Sequence, residues 1–252
     1  MNHSQKAVSD SGKCPACGGT GWRLVKEQAE GYDIPLDFAR PCTKCQGERR
    51  LEDRTGIPPQ FHEATLERFG FDSYGQNMER LKTLVHNYFA RYAELAKTGK
   101  GLYLWSKTAG SGKTFLACCL ARSITIRYNL QIRFTTVPDY LALVADSYKR
   151  QQGAQDESEV FRRCPLLVLD DIGTQRSGEW QQQELFRIVN DRLNAGNITF
   201  FTSNMPPEKL NVDYRTIDRI RKAAVVLQMP EESIRLKKAQ EEQACFVERM
   251  LM

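Results

Sequence analysis

No apolar run in this 252-residue sequence approaches the roughly 20 residues that a helix needs to cross a bilayer, and the polar N-terminus lacks the apolar centre of a signal peptide. These absences predict a cytoplasmic protein with no membrane partner. A dominant charge is missing as well: 36 lysines and arginines face 31 aspartates and glutamates, and the net charge of +5 favours nucleic acid only weakly. Histidine is scarce. His3, His62 and His86 fall outside the spacing of the cysteines and are expected on the surface or in the core, not as metal ligands. The length suffices for one α/β domain with a real core and a small additional module.

Cysteine, by contrast, is plentiful and patterned. Four of the eight form two C-x-x-C pairs, Cys14/Cys17 and Cys42/Cys45, each with a glycine within two residues after it. Two such turns facing each other complete a tetrahedral four-thiolate site, the arrangement of structural zinc, with no position left open for catalysis. A module this small cannot bury enough apolar surface alone, so the metal would supply its folding free energy. A redox C-x-x-C or an iron–sulfur site is the other reading of the same spacing. The zinc-binding module is assigned to residues 13–48, after a polar tail at 1–12 expected to be disordered, with a hairpin between the knuckles from Trp22 to Val25 and around Phe38. Cys118, Cys119, Cys164 and Cys245 are scattered and read as small buried hydrophobes.

Residues 49–75 form a linker and lead-in: a charged stretch ends in Gly56-Ile57-Pro58-Pro59, and the aromatic segment from Phe61 to Phe71 is expected to rest on the next domain. From Gln76 to Lys97 apolar residues recur with helical period.

The most informative stretch is 101–114. Leu102, Tyr103, Leu104 and Trp105 suit a buried parallel strand, a Gly-rich turn follows, and Lys113-Thr114 opens a helical pattern through Tyr128. Strand, loop and helix in that order give a phosphate-binding loop its context. Gly110, Ser111 and Gly112 allow the backbone close to a polyphosphate, so that successive N–H groups and the helix N-terminus bind it. Lys113 is expected to reach the β- and γ-phosphates, and Thr114 to place its hydroxyl on Mg2+. Lys107 stands where such a loop usually has its first glycine.

Ile132 to Thr136 reads as a second strand, and Pro138 opens a helix through Tyr148. Leu166 to Leu169 is a strand buried on both faces that runs into Asp170 and Asp171. Asp170 is expected to hold Mg2+ directly or through water, and Asp171 to orient the attacking water as general base. A helix from Glu179 to Leu193 and a strand from Ile198 to Thr202 follow, with Asn204 beyond the strand end where its amide meets the γ-phosphate or that water. Arg215, Arg219 and Arg221 lie along a helix before a fifth apolar stretch, Ala223 to Leu227, and by spacing alone read as a solvated face.

Five segments together resemble the AAA+ bacterial helicase loaders of the DnaC/DnaI type: Gly-Ser-Gly-Lys-Thr, Leu-Val-Leu-Asp-Asp-Ile-Gly, Thr-Ser-Asn, Tyr-Arg-Thr-Ile-Asp-Arg-Ile and Pro-Glu-Glu-Ser-Ile-Arg. The likeness runs from about Ile57 to Arg235, and the four-cysteine module is similar to the zinc-bearing branch of that family, including phage and prophage versions. The resemblance implies an AAA+ P-loop ATPase domain at 76–235, with a parallel five-stranded sheet flanked by helices. The family's C-terminal helical lid is reduced here to one helix at 236–252. It implies ATP, Mg2+ and Zn2+ as cofactors, and a hexameric replicative DNA helicase bound through the N-terminal module. Single-stranded DNA and self-association through the AAA+ domain complete the implied partners. By the same resemblance Asn204 matches sensor 1, Arg219 the arginine finger that reaches a neighbouring subunit's ATP, and Arg235 sensor 2. Tyr148, Lys149 and Arg150 are candidates for DNA contacts, against their reading as a surface helix end.

Two other functions fit the same residues. A transposition helper ATPase of the IstB type shares the core but serves a transposase, and the four-cysteine module argues against it. A nucleic-acid-binding adaptor would use its zinc module to read DNA and ATP only as a switch.

Overall fold

The computed structural model describes residues 16, 22–28, 36–42, 56–149, 157–174 and 178–251, and the chain divides into two compact units between Asp53 and Arg54. In the first unit β1 (Trp22–Glu27) and β2 (Leu36–Pro41) pair antiparallel, with Val25 opposite Phe38, which is the hairpin expected between the knuckles. Cys42 follows β2 directly and is buried. Cys14, Cys17 and Cys45 lie outside the described residues, as do the tail at 1–12 and Arg150.

The second unit is built on β3 (Gly101–Trp105), β4 (Ile132–Thr136), β5 (Leu166–Asp170), β6 (Ile198–Ser203) and β7 (Ala224–Gln228). They form one sheet of order β4-β5-β6-β3-β7 in which every pairing is parallel. Side chains alternate across a strand, so each apolar run feeds both faces of the sheet. Leu102, Leu104, Leu166, Val168, Ile198 and Phe200 join one buried cluster, and Tyr103, Leu167, Leu169 and Phe201 join the other.

Helices cover both faces. Under the first lie α1 (Glu79–Ala90) and α3 (Lys113–Tyr128), and under the second α4 (Val137–Lys149), α6 (Glu179–Asn194) and α7 (Tyr214–Ala223). The start of α4 is set by a reciprocal cap in which Asp139 N–H donates to Thr136 Oγ1 at 3.1 Å and that hydroxyl donates to Asp139 Oδ2 at 2.7 Å. Asp213 caps α7 by accepting from Arg215 N–H at 2.8 Å.

The helical period from Gln76 to Lys97 is not one helix. It breaks at Arg91 (φ −102°, ψ 15°) and resumes as the short α2 (Tyr92–Leu95), which sets the Tyr92 ring 6.3 Å from Tyr88 and 5.2 Å from Tyr128. The lead-in is part of the core: Ile57, Leu66, Phe69, Phe71 and Tyr74 are buried, and Phe69 lies 4.6 Å from Phe71 and 5.9 Å from Phe115 of α3. Two more helices complete the unit, the short α5 (Glu159–Arg163) before β5 and the 18-residue α8 (Ile234–Leu251) after β7.

Of the scattered cysteines, Cys118, Cys119 and Cys164 are buried as expected. Cys245 is a correction: it is exposed, because α8 leaves the core after Ile234 and its apolar residues Leu236, Phe246 and Met250 are exposed with it.

Candidate functional site

The order of the sheet sets the site. β6 lies between β3 and β5, so the loop after β3, the acids after β5 and the residues after β6 emerge side by side at the carboxyl ends of the strands, where open parallel sheets bind ligands. After Trp105 the chain turns through the phosphate loop. Gly110 (φ 76°) and Gly112 (φ 87°) both occupy the left-handed region, and a Cβ on Gly112 would stand 2.6 Å from the Tyr74 hydroxyl.

Lys113, the first residue of α3, curls back over this loop, its ammonium donating to Thr108 O at 3.0 Å, Ser106 O at 3.3 Å and Ser111 Oγ at 3.2 Å. Burial lowers its pKa from the ordinary lysine value, opposed by the attraction of Asp171, Glu231 and Asp170 in turn. A buried ammonium whose hydrogen bonds all go to neutral oxygens can exchange them for an anionic ligand.

Thr114, next along, donates its hydroxyl to Asp170 Oδ1 at 2.8 Å. The same oxygen accepts from the Thr202 hydroxyl of β6 at 2.5 Å, and Thr202 Oγ1 accepts from Asp171 N–H at 3.0 Å. Burial raises the pKa of the Asp170 carboxyl from its ordinary value, and the hydrogen bonds from Thr202 and Thr114 hold it back. Asp171 is in the left-handed region at φ 56°, a conformation aspartate tolerates better than most residues, and Ser203 Oγ fixes the turn by donating to Ile172 O at 2.6 Å.

A hydroxyl and a carboxylate oxygen this close suit a small hard cation. Neighbouring ligands on an octahedral Mg2+ with bonds of about 2.0–2.1 Å stand about 2.9 Å apart. The Thr114–Asp170 pair has that spacing and that donor chemistry.

Asn204 is half-buried just past the end of β6, one residue beyond the seryl group that bonds Ile172. Arg235 is at the loop too: its N–H donates to Gly110 O at 3.2 Å, and its guanidinium depresses the Lys113 pKa through repulsion. Arg219 is not in this cluster. It lies on α7, bonded to Asn190 Oδ1 of α6 at 3.1 Å and Asp218 Oδ2 at 3.2 Å, with its side chain 35% exposed.

Three residues in the site escaped sequence reasoning. Thr202 holds both acids, Tyr74 donates to Ser111 O at 2.8 Å, and the Glu231 carboxylate accepts from the start of the loop. Thr202 lies inside a motif already singled out, two residues before Asn204. Tyr74 and Glu231 sit 37 and 123 residues from their partners Ser111 and Thr108, and only the fold brings them there. A cavity of ≈ 850 Å³ lined by Gly75, Met78, Leu227, Met229, Glu231 and Glu232 adjoins the loop through Glu231.

Comparison with known proteins bears on this geometry. The replicative helicase loader DnaI of Bacillus subtilis (strain 168) is 30% identical over 143 residues, 56% of this chain and 44% of that one, so the chain spans less than half the length of that relative. The replicative helicase loader DnaC of Escherichia coli (strain K12) is 24% identical over 209 residues, 80% of this chain and 81% of that one. A crystal structure of DnaI shares the fold with a TM-score of 0.60 at 24% identity, covering 73% of this chain and 98% of that one. The five-stranded parallel sheet with its flanking helices is thus the AAA+ P-loop NTPase fold. The family model described as IstB-like ATP binding protein matches residues 43–242, most of the chain, and the chain belongs to that family.

Proposed function

We propose that this protein is an ATP-dependent loader that delivers the replicative DNA helicase onto single-stranded DNA. The observation that carries the ATPase part is the contact of Thr114 with Asp170, which joins the phosphate loop to the acidic strand end across β6. Its direction toward helicase loading comes from the names of the relatives, DnaI and DnaC.

In this reading Lys113 leaves its loop carbonyls for the β- and γ-phosphates, and the N–H groups from Gly110 to Thr114 hold the same phosphates. Thr114 and Asp170 hold Mg2+, directly or through water, which supplies charge neutralisation for phosphoryl transfer. Asp171 orients and deprotonates the attacking water, and the Asn204 amide steadies that water or the γ-phosphate. Arg235 acts from the lid helix as sensor 2. The ≈ 850 Å³ cavity beside Glu231 gives the base and ribose room.

Arg219 serves a neighbouring subunit. Its hydrogen-bond partners Asn190 and Asp218 lie outside the phosphate site and its side chain is 35% exposed, which supports a guanidinium that completes a neighbour's site in trans and makes hydrolysis depend on assembly. Single-stranded DNA is held at the end of α4, where the Tyr148 ring is 62% exposed and stands edge-on to Trp180. The four-cysteine module, with zinc on Cys14, Cys17, Cys42 and Cys45, captures the helicase hexamer; burial of Cys42 at the foot of the hairpin favours a closed metal site.

Co-purification with the organism's replicative helicase tests the proposal. Capture of the helicase that depends on ATP and on an intact zinc module is expected. Capture of a transposase in its place, with no helicase bound, favours the transposition helper that the family description also accommodates. Retained DNA binding with no hydrolysis favours the adaptor.

A further inference from the structure

The phosphate loop begins where a glycine is usual and this chain has Lys107, yet nothing at that position needs glycine's freedom. Among the described non-glycine residues only Asn129 and Asp171 have positive φ, so Lys107 takes an ordinary backbone conformation. What holds the turn there is a carboxylate from the far end of the domain. Glu231 Oε1 accepts from Lys107 N–H at 3.1 Å, and Oε2 accepts from Thr108 N–H at 3.0 Å and from the Thr108 hydroxyl at 3.0 Å. The hydroxyl of Ser106, which is fully buried, lies 3.3 Å from Oε2 and donates to Pro230 O at 2.9 Å. Three donors from two consecutive loop residues thus converge on one side chain, in charge-assisted bonds that are stronger and more directional than neutral ones.

We propose that Glu231 is a positioning residue for nucleotide binding: its carboxylate fixes the first turn of the phosphate loop in the shape that receives the triphosphate, in place of the missing glycine. The inference rests on the reading of this loop as the ATP site. The N–H groups that Glu231 engages belong to Lys107 and Thr108, upstream of those from Gly110 to Thr114 that face the phosphates, so the carboxylate shapes the loop without filling it. It acts with its neighbours. Arg235 N–H bonds Gly110 O at 3.2 Å, Tyr74 bonds Ser111 O at 2.8 Å from the other side, and Glu232 accepts from Gly75 N–H at 2.8 Å, tying the two clamps together. Placement of the loop is therefore coupled to the segment that leads into α8.

The test titrates a fluorescent ATP analogue with Mg2+ into the full-length parent, Glu231→Ala, Glu231→Gln and Lys113→Ala proteins, and records each melting temperature without nucleotide. Glu231→Ala removes every acceptor and is expected to weaken binding by about tenfold or more, the cost of a few unmet hydrogen bonds. Glu231→Gln keeps one oxygen acceptor and is expected to recover part of that loss. Melting temperatures should stay within about 4 °C of the parent, because the carboxylate is at the surface. Parental or tighter binding by Glu231→Ala overturns the proposal, and so does a fall in binding that only follows a fall in stability. If Glu231→Ala does not fold, Glu231→Gln decides: weaker binding at parental stability supports the proposal, and parental binding overturns it. Lys113→Ala separates the two claims, since binding that survives its loss sinks the nucleotide reading itself, whereas binding lost there but kept in both Glu231 variants sinks only the role of Glu231.

Discussion

Thr114 and Asp170, 56 residues apart in sequence, share a hydrogen bond of 2.8 Å that joins the end of the phosphate loop to the tip of β5. The bond places a hydroxyl and a carboxylate where an ion accompanying a triphosphate needs oxygen ligands. It also keeps an acid out of water.

That confinement predicts a trade between stability and activity at Asp170. Burial raises its folded pKa, so the folded state binds its proton more tightly than the unfolded state, and stability falls as pH rises from the ordinary carboxylate range through the folded value. Above that window the cost is carried in full. Asp170→Asn, which keeps an oxygen for Thr114 and Thr202, should melt about 2–4 °C higher without nucleotide for each kcal/mol of relieved cost. Its Mg2+-dependent ATP hydrolysis should fall at least about a hundredfold. A scanning calorimetry trace in which the variant melts lower than the parent would contradict this account of the site.

Thr202 is a positioning residue, since it reaches the site only through the two acids. Thr202→Val leaves Asp171 N–H without its acceptor and takes a donor from Asp170, a loss of about 1–3 kcal/mol for each buried group left unmet. Hydrolysis should drop about tenfold or more while the affinity for ATP stays near that of the parent. Thr202→Ser, which retains the hydroxyl, should recover most of the rate. If valine and serine variants hydrolyse ATP equally, the hydroxyl is not what aligns the acids.

For Arg219→Ala, ATP binding should be kept and hydrolysis lost by about a thousandfold, the scale of an arginine finger. Because its side chain is partly exposed and, among the described residues, is bonded to Asn190 and Asp218, folding should be little affected. Mixing the variant with a Lys113→Ala protein, which has an intact finger but no working loop, should restore part of the rate. Hydrolysis by the variant at the parental rate would remove the finger assignment.

Thiol chemistry checks the four-cysteine module. Burial pushes the Cys119 thiol up to about 12 and raises Cys118 and Cys164 as well, so these three should resist alkylation in the native protein, while exposed Cys245 reacts at once. Cys14, Cys17, Cys42 and Cys45 should react only after chelation, with release of about one zinc per chain. Labelling of all four before chelation would contradict a zinc site.

Much of the fold is legible in the sequence because parallel strands buried on both faces read as near-continuous apolar runs, as Leu102–Trp105 and Leu166–Leu169 do, and Ile198–Phe201 does with Thr199 as its one interruption. Lys113, Thr114 and Asp170 are legible too, since their chemistry demands fixed residue types at fixed places along strand and loop. What the sequence hides depends on pairings across the fold. Nothing local marks Tyr74 or Glu231 as partners of the loop, and nothing distinguishes Cys245 from the buried cysteines until α8 is seen to leave the core. Arg192 is the extreme case. By period it falls on an ordinary amphipathic helix, yet it is 1% exposed and its guanidinium spends its donors on Thr199 Oγ1 and on the carbonyls of Phe161, Cys164 and Ile198. A buried cation held by carbonyls leaves no signal in composition or spacing.

The most direct test of the central claim is a crystal structure of the protein with Mg2+ and a non-hydrolysable ATP analogue. The account predicts Mg2+ bound by the Thr114 hydroxyl at about 2.1 Å, with Asp170 on the ion or on one of its waters and the Lys113 ammonium moved from Thr108 O to the phosphates. A nucleotide bound elsewhere, or an ion that takes no ligand from Thr114 and meets Asp170 neither directly nor through a water, would contradict it.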